Sequence, residues 1–468
     1  MRRTASWIAG CAIVLHGTAA TAAPAPLHAS SVAIVDVGIV DVERGRTIGP
    51  RTVLLDAGRI AAIVAPGDAR IPAAALRIDG RGRFLVPGLV DMHVHLFAIR
   101  SRRAPAEWSL PLYIANGVTA VREMNADAAS VAIARHWRSE VDAGERIAPR
   151  VVAAGIAVQG QSPAEATAEV EAAADAGADF IKVYSEVPAA HWRAILAAAR
   201  ARSLPVAGHV PAGVSLLEAA AAGQRSDEHL MQAYEACSTR ETRLLGQRDG
   251  LDPEALVARR DAQEARALEA FDARTCTRIG KQVAATGQVH VPTLVLPHAE
   301  ANRARDPQGD PRWRYLRGDE RARWQRILAD LAAHPDPLAR RRADVSRRIV
   351  AALHRAGVTM LAGTDAPMPG VYPGYALHEE LALLVEAGLD PAEALRAATL
   401  APARFLGIEA DAGSITVGKR ADLVLLDADP LADIRNTRRI DAVLLGGRVL
   451  RRADLDNLLD DSARTQAH

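Results

Sequence analysis

Hydrophobic positions along this chain fall into two textures. From Ser31 to Arg83 they form short alternating runs broken by glycine turns, as in Val32-Ala33-Ile34-Val35, Thr52-Val53-Leu54-Leu55 and Ile60-Ala61-Ala62-Ile63-Val64. The same texture returns near the other end, in Gly413-Ser414-Ile415, Leu423-Val424-Leu425-Leu426 and Ala442-Val443-Leu444-Leu445. Period-two runs predict antiparallel strands and hairpins. Their restriction to the two ends predicts one small β-sandwich built from residues 31–83 and 412–455.

Between these ends, apolar strand-like runs alternate with Ala-rich segments of helical period, the pattern of repeated βα units and a parallel sheet. The runs are Phe84 to Leu96, Val118 to Glu123, Arg150 to Gly155, Phe180 to Ser185, Leu204 to Val210, Ser226 to Leu230, Val289 to Leu296 and Val358 to Asp365. Eight such units close a barrel, so the reading is α/β, a (β/α)8 TIM barrel over residues 84–411. Ser162-Pro163 starts one clear helix as N-cap and first position, and Ala189 to Arg202 carries its own apolar stripe. Residues 231–288 and 299–345 exceed ordinary loops and are rich in Arg, Ala and Glu, which predicts helical caps with solvated charged faces.

The N-terminus adds a compartment to this picture. Met1-Arg2-Arg3, the apolar run Ala5 to Leu15 and the small residues ending at Ala22-Ala23 read as a secretory signal peptide over residues 1–22. A periplasmic or secreted protein is expected, without stable membrane insertion, because the run is too short to span a bilayer. Ile8-Ala9-Gly10-Cys11 resembles a lipoprotein box but leaves too short an apolar run for anchoring at Cys11. A net charge of +1 with 4% aromatic residues gives no footprint for nucleic acid, so the expected partner is a small-molecule substrate. A homo-oligomer is compatible with the composition. Of three cysteines, Cys237 and Cys276 stay in the mature chain; an oxidising compartment permits a bridge, while the sequence leaves their separation open.

The strand ends carry the chemistry. In Val90-Asp91-Met92-His93-Val94-His95, the two histidines share a strand face about 7 Å apart along the backbone, as a metal would require. Lys182 sits inside Phe180-Ile181-Lys182-Val183-Tyr184, although arginine supplies nearly all positive charge and only Lys182, Lys281 and Lys419 are lysine. A lysine kept there suggests chemistry that a guanidinium cannot do. His209 and His229 close the fifth and sixth runs, and Asp365 closes the eighth. Each alone also has a plain structural reading: a satisfied core histidine, a snorkelling lysine, a helix N-cap. Their coincidence on the ends of runs one, four, five, six and eight favours a site at the C-terminal rim of a barrel.

Taken together, Leu85-Val86-Pro87-Gly88-Leu89-Val90-Asp91-Met92-His93-Val94-His95, Gly117-Val118-Thr119, Gly177-Ala178-Asp179-Phe180-Ile181-Lys182, Gly363-Thr364-Asp365 and Gly418-Lys419-Arg420-Ala421-Asp422-Leu423 resemble the amidohydrolase superfamily, in its binuclear imidazolonepropionase and prolidase-like branch. The resemblance implies a distorted (β/α)8 barrel with the composite β-sandwich. It also implies two divalent metal ions, zinc being expected: one on His93, His95 and Asp365, the other on His209 and His229, bridged by Lys182 carboxylated with carbon dioxide. A hydroxide between the metals would attack an amide carbonyl of dipeptide or N-acyl amino acid type, with Asp365 as proton shuttle. Tyr184, Arg122 and His378 are candidate substrate contacts.

Other readings stay open. A mononuclear deaminase of the same superfamily carries Glu three residues after the fifth-strand histidine, where this chain has Ala212. Lactone or other cyclic amide and ester hydrolysis uses the same core. A secreted binding protein that has lost catalysis is the alternative outside enzymes.

Overall fold

A computed structural model describes residues 27–28, 31–68, 71–97, 105–248, 250–302 and 309–466. The expected signal peptide, with Cys11, lies outside the described residues. No helix among those described is long and apolar enough to cross a membrane.

Seven parallel strands follow one another in space in sequence order: Leu89–Val94, Val118–Ala126, Arg150–Ala157, Phe180–Val183, Val206–Gly208, Ser226–Glu228 and Val289–Val291. The eighth predicted strand forms only isolated parallel bridges, His290 to Met360 on one side and Val94 to Ala366 on the other. These join the seventh strand to the first and close a distorted (β/α)8 barrel. The interior is packed by Met92, Val289, Val291 and Leu361 in one cluster and by Met124, Ala153, Phe180 and Ala207 in another, with Leu406 reaching both.

The predicted strand Phe84 to Leu96 is two strands. Phe84–Pro87 pairs antiparallel with Leu423–Leu426 in the terminal sheet, and Leu89–Val94 enters the barrel. Proline and glycine mark the break, and glycine is needed because a Cβ on Gly88 would lie 2.0 Å from Thr119 Oγ1. The nine-stranded sheet draws on both ends of the chain. Its alternating side chains serve two cores. Leu85, Leu423, Leu425, Ala442 and Leu444 meet Ile34, Val53 and Ile60 inside the sandwich, whereas Val86, Val424, Leu426, Val443 and Leu445 join the barrel core.

Part of each predicted insertion is barrel wall. Helices Ala273–Thr286 and Ala339–Arg355 pack on each other, and the first also packs on Leu216–Ala222. What projects over the rim is shorter: Ala233–Ala236, Glu241–Gly246 and Pro253–Glu269 from the first, and Val295–Ala301 and Gly318–Ala333 from the second. An unpredicted C-terminal helix, Arg452–Thr465, packs beside Leu110–Ala115 and sends Leu459 and Ala463 to an aromatic cluster containing Trp108, Tyr315 and Trp324.

Cys237 and Cys276 are bonded to each other, both fully buried, 39 residues apart in sequence. The bridge ties the start of the first cap to the barrel helix Ala273–Thr286. Loop closure of that length restricts the unfolded chain by about 4 kcal/mol. Replacing both cysteines with alanine is expected to lower the unfolding free energy by most of that amount; an unchanged urea midpoint would show that the bridge contributes nothing.

Candidate active site

The site grows from what happens just past the strand ends. The strands holding His209 and His229 stop at Gly208 and Glu228, shorter than the sequence pattern suggests. His229, Leu230, Thr293 and Asp365 all have positive φ, between 46° and 65°, a conformation unfavourable for residues with a Cβ. Such strain persists where surrounding structure enforces it, and here it turns side chains over the barrel mouth. On the fifth strand Gly208, at φ 124°, leaves room for Lys182: a Cβ there would stand 2.8 Å from Lys182 Cδ.

All six predicted ligands meet at this mouth. Asp365 Oδ1 lies 3.1 Å from His93 Nε2 and 2.8 Å from His95 Nε2, and the three residues form one metal-sized donor group. The His229 ring is 4.5 Å from that of His93 and 5.0 Å from that of His209. Lys182 Nζ and the His209 ring both approach the Tyr184 ring, at 4.9 and 5.0 Å.

Each of three histidines has Nδ1 held by another polar group. His93 Nδ1 is 2.8 Å from Glu228 Oε2, His209 Nδ1 is 3.0 Å from Ser185 Oγ, and His229 Nδ1 is 2.8 Å from Thr293 Oγ1. An ionised carboxylate only accepts, so His93 Nδ1 donates, and the neutral ring that a metal would bind has its lone pair on Nε2. That lone pair faces a carboxylate oxygen, two acceptors in contact, an arrangement that a cation between them resolves. His93 Nε2, Asp365 Oδ1 and Lys182 Nζ are buried without a hydrogen bond among the described residues. The donor set fits a divalent metal, with nitrogen and carboxylate ligands oriented from behind.

Electrostatics agree. Burial pushes the His229 imidazole down to about 3, so it is neutral and suited to bind metal, and pushes the Lys182 amine down to about 8, which enlarges the neutral fraction able to take up carbon dioxide. Burial acts oppositely on Glu228, but the Arg122 guanidinium and then the His93 hydrogen bond outweigh it and hold the carboxyl below its ordinary range. Asp91, hydrogen-bonded to Thr364 and to the His93 backbone N–H, is raised by burial to about 7.

Two of the predicted substrate contacts lie elsewhere. Arg122 is buried within the barrel, donating through Nε to Met92 O and through Nη2 to Glu228 Oε1 at 2.8 Å, between the rings of Phe180 and Phe405. Its length carries it from the second strand across the interior, so it braces the Glu228 carboxylate instead of meeting substrate. His378 is buried between Thr437 Oγ1 and the Asn116 carbonyl, tying a barrel helix to a neighbouring turn. Tyr184 does line the cavity above the site. Sequence reasoning passed over Glu228, Ser185 and Thr293. Glu228 lies in the run Ser226 to Leu230 next to Asp227, but of two adjacent acids on a strand only one faces inward, and composition does not say which.

The cavity over the site measures about 1000 Å³, with His95, His209, His229 and Asp365 at its floor. Its upper walls come from the caps, including Val257, Arg260 and Glu264 from the first and Ile327 and Leu331 from the second. Arg342 binds Glu264, Glu300 and Asp336 at 2.6 to 2.8 Å and fastens the caps together.

Comparisons with known proteins point one way. The amidohydrolase family model matches residues 84–450. An imidazolonepropionase of Rubrobacter xylanophilus is 26% identical over 423 residues, covering 82% of this chain and 88% of that protein. Another, from Symbiobacterium thermophilum, is 45% identical over 71 residues, 15% of this chain and 16% of its own length. Among solved structures, bottromycin amidohydrolase superposes with a TM-score of 0.70 at 26% identity, covering 94% of this chain and 91% of that one. A Bifidobacterium longum protein described as a prolidase gives 0.62 at 25% identity, covering 92% and 99%.

Proposed function

The chain belongs to the amidohydrolase family, metal-dependent hydrolases acting on carbon–nitrogen bonds, and we propose that its reaction is hydrolysis of an amide bond of the dipeptide or N-acyl amino acid type. The observation that carries this reading is the convergence of His93, His95, Lys182, His209, His229 and Asp365 on one barrel mouth, with three imidazoles held through Nδ1. In the proposal His93, His95 and Asp365 hold one divalent ion and His209 and His229 another, zinc in both places, with Lys182 between them as a carbamate. Such a pair would polarise a carbonyl and make water nucleophilic near neutral pH.

The chain's own residues would do the rest. Asp365 takes the proton of the attacking water and returns it to the departing amine, which must leave protonated. Glu228, Ser185 and Thr293 fix the imidazoles so that no reorientation accompanies the reaction. The caps over the cavity reduce access of bulk water, which strengthens the electrostatic interactions inside. The Ala212 side chain offers no proton-transfer group where a deaminase of this superfamily carries Glu, which supports acyclic amide hydrolysis over ammonia release from ring carbons.

The buried disulfide supports placing the protein outside the cytoplasm, as does the leader-like N-terminus. Protein purified from a periplasmic extract is expected to begin near Ala22 or Ala23, to carry two equivalents of divalent metal, and to cleave members of a dipeptide and N-acyl amino acid panel until chelated. Release of ammonia from purines or pyrimidines without amide cleavage would overturn the reaction, and an intact Met1 would overturn the location.

A further inference from the structure

Glu235 stands on the first cap, six residues beyond His229, and lines the cavity over the site. It is 2% exposed, yet only half of its carboxylate is used. Oε1 accepts from Arg248 Nη2 at 2.5 Å, while Oε2 is buried without a partner among the described residues. A buried carboxylate oxygen with no donor is costly and uncommon, and calls for an explanation.

The surroundings do not supply that donor and do not let the side chain relax away. Each nitrogen of the Arg248 guanidinium makes a hydrogen bond: besides Nη2 to Glu235, Nε donates to Gln263 Oε1 at 2.9 Å and Nη1 to the Ala212 carbonyl at 2.8 Å. With three of its nitrogens engaged, Arg248 pins Oε1 and fixes the direction of Oε2. Since Ala212 lies three residues past His209, the carboxylate is anchored beside the fifth-strand loop that carries a proposed ligand. The other cations on the cavity wall are taken: Arg342 by Glu264, Glu300 and Asp336, and Arg260 by Asp261 at 2.9 Å. On the wall itself Asp261, Glu264 and Glu300 face Arg260 and Arg342, so the wall away from the metal ligands is net negative. Glu241 nearby is raised first by its own burial and then by Glu235, which marks the same negative potential.

We propose that Glu235 Oε2 is the specificity-determining anchor for a protonated amine of the substrate, either a free α-ammonium or a basic side chain. This deepens the amide-hydrolase reading and rests on it for the position of the scissile bond. A charge-assisted bond to ammonium satisfies the idle oxygen and is roughly twice as strong as a neutral one. It also explains why the carboxylate is held by a buried arginine instead of being left to rotate.

Two arms separate the amine sources. The first compares kcat/KM for lysyl-alanine and alanyl-lysine with their norleucine counterparts, which keep the chain and lose the charge; the second compares free dipeptides with their N-formyl forms. In one arm the charged member is expected to be preferred by at least about tenfold, mainly through KM, and Glu235→Gln is expected to bring that ratio near one. Indifference to charge in both arms, or a preference that survives Glu235→Gln, overturns the proposal. Wild-type enzyme alone decides through the two arms if the variant fails to fold. Should no amide be cleaved, calorimetry with L-lysinamide, L-norleucinamide and N-acetyl-L-norleucinamide still decides: charge-dependent binding lost in Glu235→Gln leaves this inference standing and removes only the proposed reaction, and equal binding overturns the inference.

Discussion

Replacing Lys182 with alanine is expected to lower amide hydrolysis by roughly 10³-fold or more, because the loss removes metal-supplied charge stabilisation that no other side chain at the mouth replaces. The protein should stay folded and lose about one of two metal equivalents. The amine is a suitable precursor for a carbamate because burial brings it to about 8. At pH 7 roughly a tenth of it is then neutral, against fewer than about one in a thousand for an ordinary lysine, and only the neutral amine attacks carbon dioxide. In that step nitrogen bonds to carbon, a proton leaves the nitrogen, and an anion with two oxygens replaces a potential cation. Short carboxylic acids added to Lys182→Ala should restore part of the metal content, whereas simple amines should not. Full activity and two metals in Lys182→Arg would end the bridging role, since a guanidinium forms no carbamate.

Glu228→Gln is expected to be the most damaging substitution that touches no proposed ligand position. Glu228 is fully buried between Arg122 and His93. Gln removes the charge that both require, leaving the Arg122 guanidinium uncompensated in the barrel interior at a cost of about 3–5 kcal/mol. Metal affinity should fall about 10- to 100-fold as His93 loses its orienting acceptor. The sign of the pH dependence follows from the direction of the shift. Because Glu228 is held below its ordinary range, its contribution is complete above the unfolded-state pKa near 4.3 and is lost as pH falls toward the lower folded-state value. Wild type should therefore lose stability on acidification below about pH 4.3 through this group, and Glu228→Gln should lack that component. Urea titrations of both proteins at pH 7 and pH 3.5 would show it; equal stability at pH 7 would remove the network from the argument.

The clustered residues were legible because histidine, lysine and aspartate are expensive inside apolar strands and therefore stand out there. What orients them was not. Glu228 and Asp227 are chemically alike in sequence, and only the strand direction puts one against Arg122 and the other toward His290. Arg122 misled because its position is on a strand while its guanidinium lies across the barrel, a reach that sequence spacing does not encode. The strand beginning at Phe84 looked continuous because both halves are apolar, and Pro87-Gly88 was the signal for the break. Leu455, Leu458 and Leu459 in the C-terminal helix carried a helical spacing that was there to be read. Cap and barrel helix could not be separated within residues 231–288, since both are amphipathic and Arg-rich; contact with a neighbouring wall helix distinguishes them.

The single residue between the two halves of the first apolar run sets an order of assembly. Phe84–Pro87 lies nine to six residues before His93, and its antiparallel partner is Leu423–Leu426, more than 330 residues later. One edge of this segment can pair early, with Gly38 and Ile39, but its other edge stays open until almost the whole chain is present, and the loop closed there is among the longest available. The proposed metal site should thus be among the last parts of the molecule to become fixed, which delays ion capture until the carboxyl-terminal strands have arrived.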